Sequence, residues 1–123
     1  MQRAGRNSYA MAGLGPADMD GLMIYDNFTP TVLFSLEGFG YCGQGESGAW
    51  VEEGHLAIGG QFPANTSGGH LSESYMQGWN LHIEAVRQVR GMANGRQIDQ
   101  ARHIHYMAAA PVVSSIIYSG EAQ

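Results

Sequence analysis

Two short segments hold the residues best equipped for chemistry. Tyr25-Asp26-Asn27-Phe28 follows an apolar run that reads as a buried strand. Polar groups placed there sit at the carboxyl edge of a sheet, where open α/β sheets bind ligands. The plainer reading is a solvent-facing strand end with Phe28 in the core. The second segment is NTSGGHLSESYMQGW, residues Asn65 to Trp79. Asn65, Thr66 and Ser67 offer hydrogen-bonding groups. Gly68 and Gly69 let a ligand lie against the backbone, and His70 could line the same cleft. A helix starting just beyond them would present free N–H groups to an oxyanion or phosphate. The plainer reading is a loop and a helix cap, with Ser72 or Ser74 as the cap. Neither segment contains a nucleotide fingerprint, GxxxxGKS/T or GxGxxG.

Other reactive side chains are weaker candidates. His103 and His105 would share one face of a strand, but two histidines without a third ligand rarely hold a metal, so no metal site is expected. His82 falls within a long helix and reads as packed, while Trp79 reads as core or interface. Cys42 stands alone, which rules out an internal disulfide and suits a reducing compartment.

The elements that must position these residues follow from periodicity. Arg3 to Leu14 predicts a helix stopped by Gly15-Pro16. Gly21 to Tyr25 predicts a buried strand. Thr29 opens a helix to about Gly38, with Pro30 where a missing N–H costs nothing. Ser47 to Glu53 predicts a short helix after a glycine-rich connection. A long helix is expected from about Ser74 to Arg90, because Met76, Trp79, Ile83, Val86 and Arg90 recur at three- and four-residue steps, with Gly91 as its cap. That helix would carry Tyr75 in its first turn and Gly78 as a close packing point. Ala101 to Met107 and Val112 to Tyr118 predict two further strands. The order implies α/β architecture, a mixed sheet covered by helices.

Composition sets the outer bounds. The 123 residues, 44% hydrophobic and 14% charged, suit one globular domain. A formal charge of −5, with every basic residue an arginine, argues against a nucleic-acid or anionic-membrane surface. No apolar run spans a bilayer, and MQRAGRNSYAMAG lacks the apolar core of a secretory signal. A cytoplasmic protein is the expectation. Three strands make a small sheet, and the opening helix suggests one half of a larger two-part fold.

The two reactive segments match a family in order and spacing. GLGPADMDGLMIYDNFTPTVLFSLEGFGYCGQGESGAWVEEG followed by NTSGGHLSESYMQGWNLHIEAVRQVRG resembles the C-terminal half of the thiolase superfamily. The branch it is most similar to is the thiolase-like lipid-transfer group, which includes steroid side-chain aldolases. The resemblance runs from about Gly13 to Tyr118 and implies a thiolase C-terminal domain over residues 1–123, the N-terminal half lying elsewhere. It further implies that the long helix belongs to the central layer of the full fold.

By that resemblance, Tyr25-Asp26-Asn27-Phe28 occupies the family's Asn-Glu-Ala-Phe position. Ser74-Tyr75-Met76 occupies the Gly-His-Pro position, with Tyr75 in place of the histidine. Ala108 to Pro111 occupies the Cys-x-Gly position without its cysteine. Ordinary thiolase chemistry therefore lacks its usual groups. The resemblance implies instead a tyrosine acid/base pair, Tyr25 and Tyr75, with proton transfer helped by a lowered pKa and the enolate helped by the N-terminus of the Tyr75 helix. The implied reaction is retro-aldol cleavage of a β-hydroxyacyl-CoA. Asn65, Ser67, Gly68, Gly69 and His70 would line the substrate cleft, with acyl-CoA as substrate and no cofactor. A thiolase-type acyltransferase and a non-catalytic acyl-CoA-binding subunit are the alternatives. Implied partners are the N-terminal thiolase half or a second subunit, a second copy of the complete enzyme, and an OB-fold protein.

Overall fold

Gly21–Ile24 (β1) is buried at every position in the computed structural model, which describes residues 1–109 and 112–120. A strand hidden on both faces needs no polar alternation, hence its continuous apolar sequence. It pairs in parallel with His103–Ala108 (β2), Gly21 opposite Ile104 and Ile24 opposite Met107. β2 pairs antiparallel with Ser114–Ser119 (β3), giving a mixed sheet of order β1-β2-β3. β2 starts later than its apolar run predicts. The Asp20 carboxylate takes the N–H groups of Arg102 and His103, both at 2.8 Å, and so sets where the strand begins.

Helices cover this sheet. Gln2–Ala12 (α1) ends at Gly13 and not at Gly15-Pro16, because Gly13 adopts φ 68° and turns the chain first. Pro16 opens a single 3₁₀ turn instead. Thr29–Phe39 (α2) and Ser47–Glu52 (α3) fall where expected. Strand alternation then divides the core in two. Leu22 and Ile24 pack with Leu36, Phe39 and Tyr41. Met23 and Tyr25 pack with Leu81, Ala85 and Tyr106. Fully buried His105 lies among α1 and α2 residues, its Nδ1 2.7 Å from the Tyr41 hydroxyl and its Nε2 2.8 Å from Ser115 Oγ. The ring of His103, its partner in the sequence pattern, has its Nδ1 3.0 Å from Ser119 Oγ.

The expected helix from Ser74 to Arg90 forms only over its later part, and a separate short helix precedes it. Gly69–Ser72 (α4) is one turn, and Trp79–Val89 (α5) begins after a non-helical stretch. Gln77 at φ 52° and Gly78 at φ 97° break the right-handed path between them. Neither Ser72 nor Ser74 caps a helix; Gly68 and Gly78 stand at the two N-cap positions. Tyr75 therefore lies in a loop.

The face of α5 is also reversed from its apolar spacing. Asn80, Glu84 and Gln88 are buried, together with Leu81 and Ala85. Trp79, 67% exposed, shares the outer face with Ile83 and Val86. No helix of the described residues is long and apolar enough to cross a membrane.

Glu84 and Gln88 of the buried polar row are partnered from outside the helix, whereas Asn80 Oδ1 is buried without a partner among the described residues. Glu84 receives Arg96 through Nε at 3.2 Å and a terminal nitrogen at 3.0 Å, and the Thr66 hydroxyl at 2.8 Å. Gln88 reaches Thr66 and the Arg96 carbonyl, both at 2.9 Å. Burial pushes the Glu84 carboxyl up, but Arg96, Thr66 and Gln88 together hold it below its ordinary 4.5. The folded state thus favours the ionised form. Its contribution to stability is present above pH 4.5 and is lost as pH falls through the depressed value. Glu84→Gln should lower the melting temperature at neutral pH and flatten its decline in acid, as thermal melts across pH would read.

Candidate active site

The two tyrosines singled out by the sequence meet. Their hydroxyl oxygens are 3.3 Å apart. Tyr25 follows β1 directly, and its N–H continues the ladder to the Met107 carbonyl at 2.9 Å. Strand alternation turns its ring to the α5 side of the sheet, where only 9% of the residue is exposed. Tyr75 lies on the loop between α4 and α5 and is 63% exposed, so it is the member of the pair with open space before it.

The electrostatics divide the pair. Tyr25 is pushed up to about 12, first by its hydrogen bond to Tyr75, then by burial and by the neighbouring phenols of Tyr75 and Tyr106. This reverses the expected lowering for Tyr25. A phenol held neutral across the physiological range acts as a donor. Either hydroxyl can be the donor in this bond, and Tyr25, holding its proton, is able to donate to the Tyr75 oxygen.

Asp26 explains the glycine-rich segment. Its carboxylate is buried and accepts the backbone N–H of His70 at 2.9 Å and that of Leu71 at 3.4 Å. The amides expected to cradle an anionic ligand thus hold a carboxylate of the chain itself. Gly69, at φ 65°, is where a Cβ would run into the Asp26 carboxyl group. Its place at a strand end does not by itself mark Asp26; an acid directly after an apolar strand, with a glycine pair later in the chain, is the signal the sequence offers.

His70 is more deeply engaged than a cleft-lining loop residue. Its Nδ1 is 2.8 Å from Asp26 Oδ1, and its Nε2 accepts the Gly78 N–H at 2.8 Å. Neither ring nitrogen is free for a substrate. Its ring packs edge-on against Tyr25, centroids 4.6 Å apart, and stands 5.4 Å from the Tyr75 ring. Gly78 is a contact point with the sheet, not with a second helix: a Cβ there would lie 2.6 Å from the Tyr106 hydroxyl. Its N–H serves His70, so this helix start does not offer that N–H to an enolate.

The remaining predicted site residues frame the loop. Asn65, at φ 45°, uses both ends of its amide on one residue: Oδ1 accepts the Ile24 N–H at 2.7 Å and Nδ2 donates to the Ile24 carbonyl at 2.9 Å. The side chain works as an extra peptide unit on the edge of β1 away from β2, continuing the backbone pairing of Pro63 and Asn65 with Leu22. Ser67 donates to Glu73 at 2.9 Å, and Gly68 caps α4 at φ 110°. Phe28 is exposed, not core. His82 is packed as expected, its ring 3.8 Å from that of Tyr106 and its Nδ1 2.8 Å from the Tyr118 hydroxyl. Of the segment at the family's cysteine motif, Ala110 and Pro111 lie outside the described residues. Cys42 packs against the core cluster on the other face of the sheet, and its thiol is pushed up by burial and by Glu37 and Glu46.

Comparison with known proteins identifies the family and the fold. The family described as thiolase C-terminal domain-like matches residues 1–117. The steroid side-chain-cleaving aldolase of Thermomonospora curvata is 47% identical over 91 residues, covering 74% of this chain and 23% of that protein. The 17-hydroxy-3-oxo-4-pregnene-20-carboxyl-CoA lyase of Mycobacterium tuberculosis is 45% identical over 91 residues, 74% of this chain and 24% of that protein. The solved structure of an Ltp2-ChsH2(DUF35) aldolase matches with a TM-score of 0.93 at 38% identity, over 99% of this chain and 32% of that one. The chain spans about a quarter of the length of these curated relatives.

Because the largest influence on Tyr25 is its bond to Tyr75, Tyr75→Phe should bring the Tyr25 titration down from about 12 toward the ordinary 10. Tyrosine ring-carbon NMR across alkaline pH measures this directly.

Proposed function

This chain belongs to the thiolase C-terminal domain-like family, and on that premise we propose that it is the C-terminal half of an enzyme acting on acyl-CoA thioesters, with Tyr25 and Tyr75 serving retro-aldol cleavage of a β-hydroxyacyl-CoA. The observation that carries this reading is the hydroxyl pair at 3.3 Å, one member buried and one facing outward. The reaction removes the proton of the β-hydroxyl, breaks the Cα–Cβ bond and turns the β-carbon into a carbonyl. The electron pair passes to the thioester enolate, which regains a proton at Cα. Tyr75, entering the step as its phenolate, takes the β-hydroxyl proton and, as the phenol so formed, is the source of the proton returned to Cα. Tyr25 keeps its own proton and steadies the Tyr75 oxygen with a hydrogen bond. A neutral donor of this kind favours negative charge that develops beside it.

Acyl transfer fits less well. Tyr75 stands where a thiolase carries its histidine, and Cys42 is on the wrong face of the sheet with its thiol pushed up. The uncovered apolar face of α5 supports a second polypeptide or domain, the N-terminal thiolase half, completing the cleft. The names of the relatives support a steroid-type side chain as the acyl group.

In the complete enzyme, Tyr75→Phe should lower kcat for cleavage by roughly 100-fold or more with KM little changed. Steady-state kinetics with a β-hydroxyacyl-CoA tests this. Unchanged cleavage, or acyl transfer without cleavage in the unmodified enzyme, overturns the reading.

A further inference from the structure

We infer that His70 is a positioning residue, held by Asp26 as the neutral Nδ1–H tautomer so that its Nε2 can anchor the loop that carries Tyr75. The inference rests on the retro-aldol reading above for its consequence, though not for its geometry.

The tautomer follows from the partners. Gly78 N–H can only donate, so the Nε2 it reaches at 2.8 Å carries no hydrogen. The single proton of a neutral imidazole then sits on Nδ1, which donates to Asp26 Oδ1 at 2.8 Å. Both Asp26 and the His70 side chain are buried, so water does not compete for these bonds. The loop is thereby tied at both ends. At one end Asp26 holds the backbone of His70 and Leu71. At the other, the ring of the same histidine holds Gly78. Tyr75 lies between the two ties, and the His70 ring fills the space beside both tyrosines. A loop of exposed residues such as Leu71, Tyr75 and Met76 has little other packing to fix it. His70 offers no free nitrogen to a substrate; it acts through Tyr75.

Conservative variants separate this role from mere packing. A glutamine amide reaches the position of Nε2 and can still accept from Gly78. An asparagine amide reaches only the position of Nδ1 and keeps the Asp26 bond alone. In the complete enzyme His70→Asn should lower kcat by about 100-fold with little change in KM, as expected for a misplaced proton-transfer group. His70→Gln should restore most of that loss. The Tyr25 titration, read by tyrosine ring-carbon NMR, should fall toward its ordinary value in His70→Asn and stay raised in His70→Gln. If the two variants behave alike in the titration, whether both unchanged or both altered, the inference is overturned. Tyr75→Phe is the control. If it leaves cleavage intact, the retro-aldol reading fails while the titration still decides whether His70 places Tyr75.

Discussion

The Asp26 carboxylate sits almost wholly out of water, where an unpaired charge would cost several kcal/mol. It is satisfied by two backbone amides and one imidazole, all from residues 70 and 71. Those donors must come to the end of β1, so the chain there must run close against the sheet. Only glycine at residue 69 allows the approach. The same imidazole then reaches Gly78 with its other nitrogen, which places the start of α5. One buried acid thus orders a loop, fixes a helix start and brings Tyr75 to Tyr25.

The helix that begins there packs in an unusual way. Its inward face mixes Leu81 and Ala85 with Asn80, Glu84 and Gln88, and the latter two are tied to Thr66 and the Arg96 segment. A buried carboxylate is tolerable only when fully partnered, and Glu84 has an arginine, a hydroxyl and an amide. Thr66 belongs to the same loop as Asn65 and Gly69, so the helix also braces the candidate site from behind. The apolar residues that would normally drive such a helix onto a core face outward instead. An outward apolar face of this kind marks an interaction surface.

Much of this was legible without coordinates. The continuous apolar run at Gly21–Ile24 read as a buried strand, and it is one. The segments around Tyr25 and Tyr75 identified the family by order and spacing, and the fold followed from the family. The break between α4 and α5 was not legible. Periodicity counts apolar spacing, and the stripe Met76, Trp79, Ile83, Val86 continues smoothly through residues whose backbone is left-handed. The same stripe misled about which face is buried, because an apolar stripe does not say what covers it.

The sequence by itself determined the family, the mixed α/β architecture and the two tyrosines, since strand periodicity and motif spacing are local properties. It also marked the glycines and hydroxyls of residues 65–69 as placed for a close approach. Only the tertiary structure decided what approaches. The visitor is the Asp26 carboxylate, brought there by a contact 44 residues long in the chain. The raised titration of Tyr25 and the engagement of both His70 nitrogens likewise depend on burial and on partners distant in sequence. Burial and hydrogen-bond partnership are set when the chain closes on itself, and no local pattern encodes them.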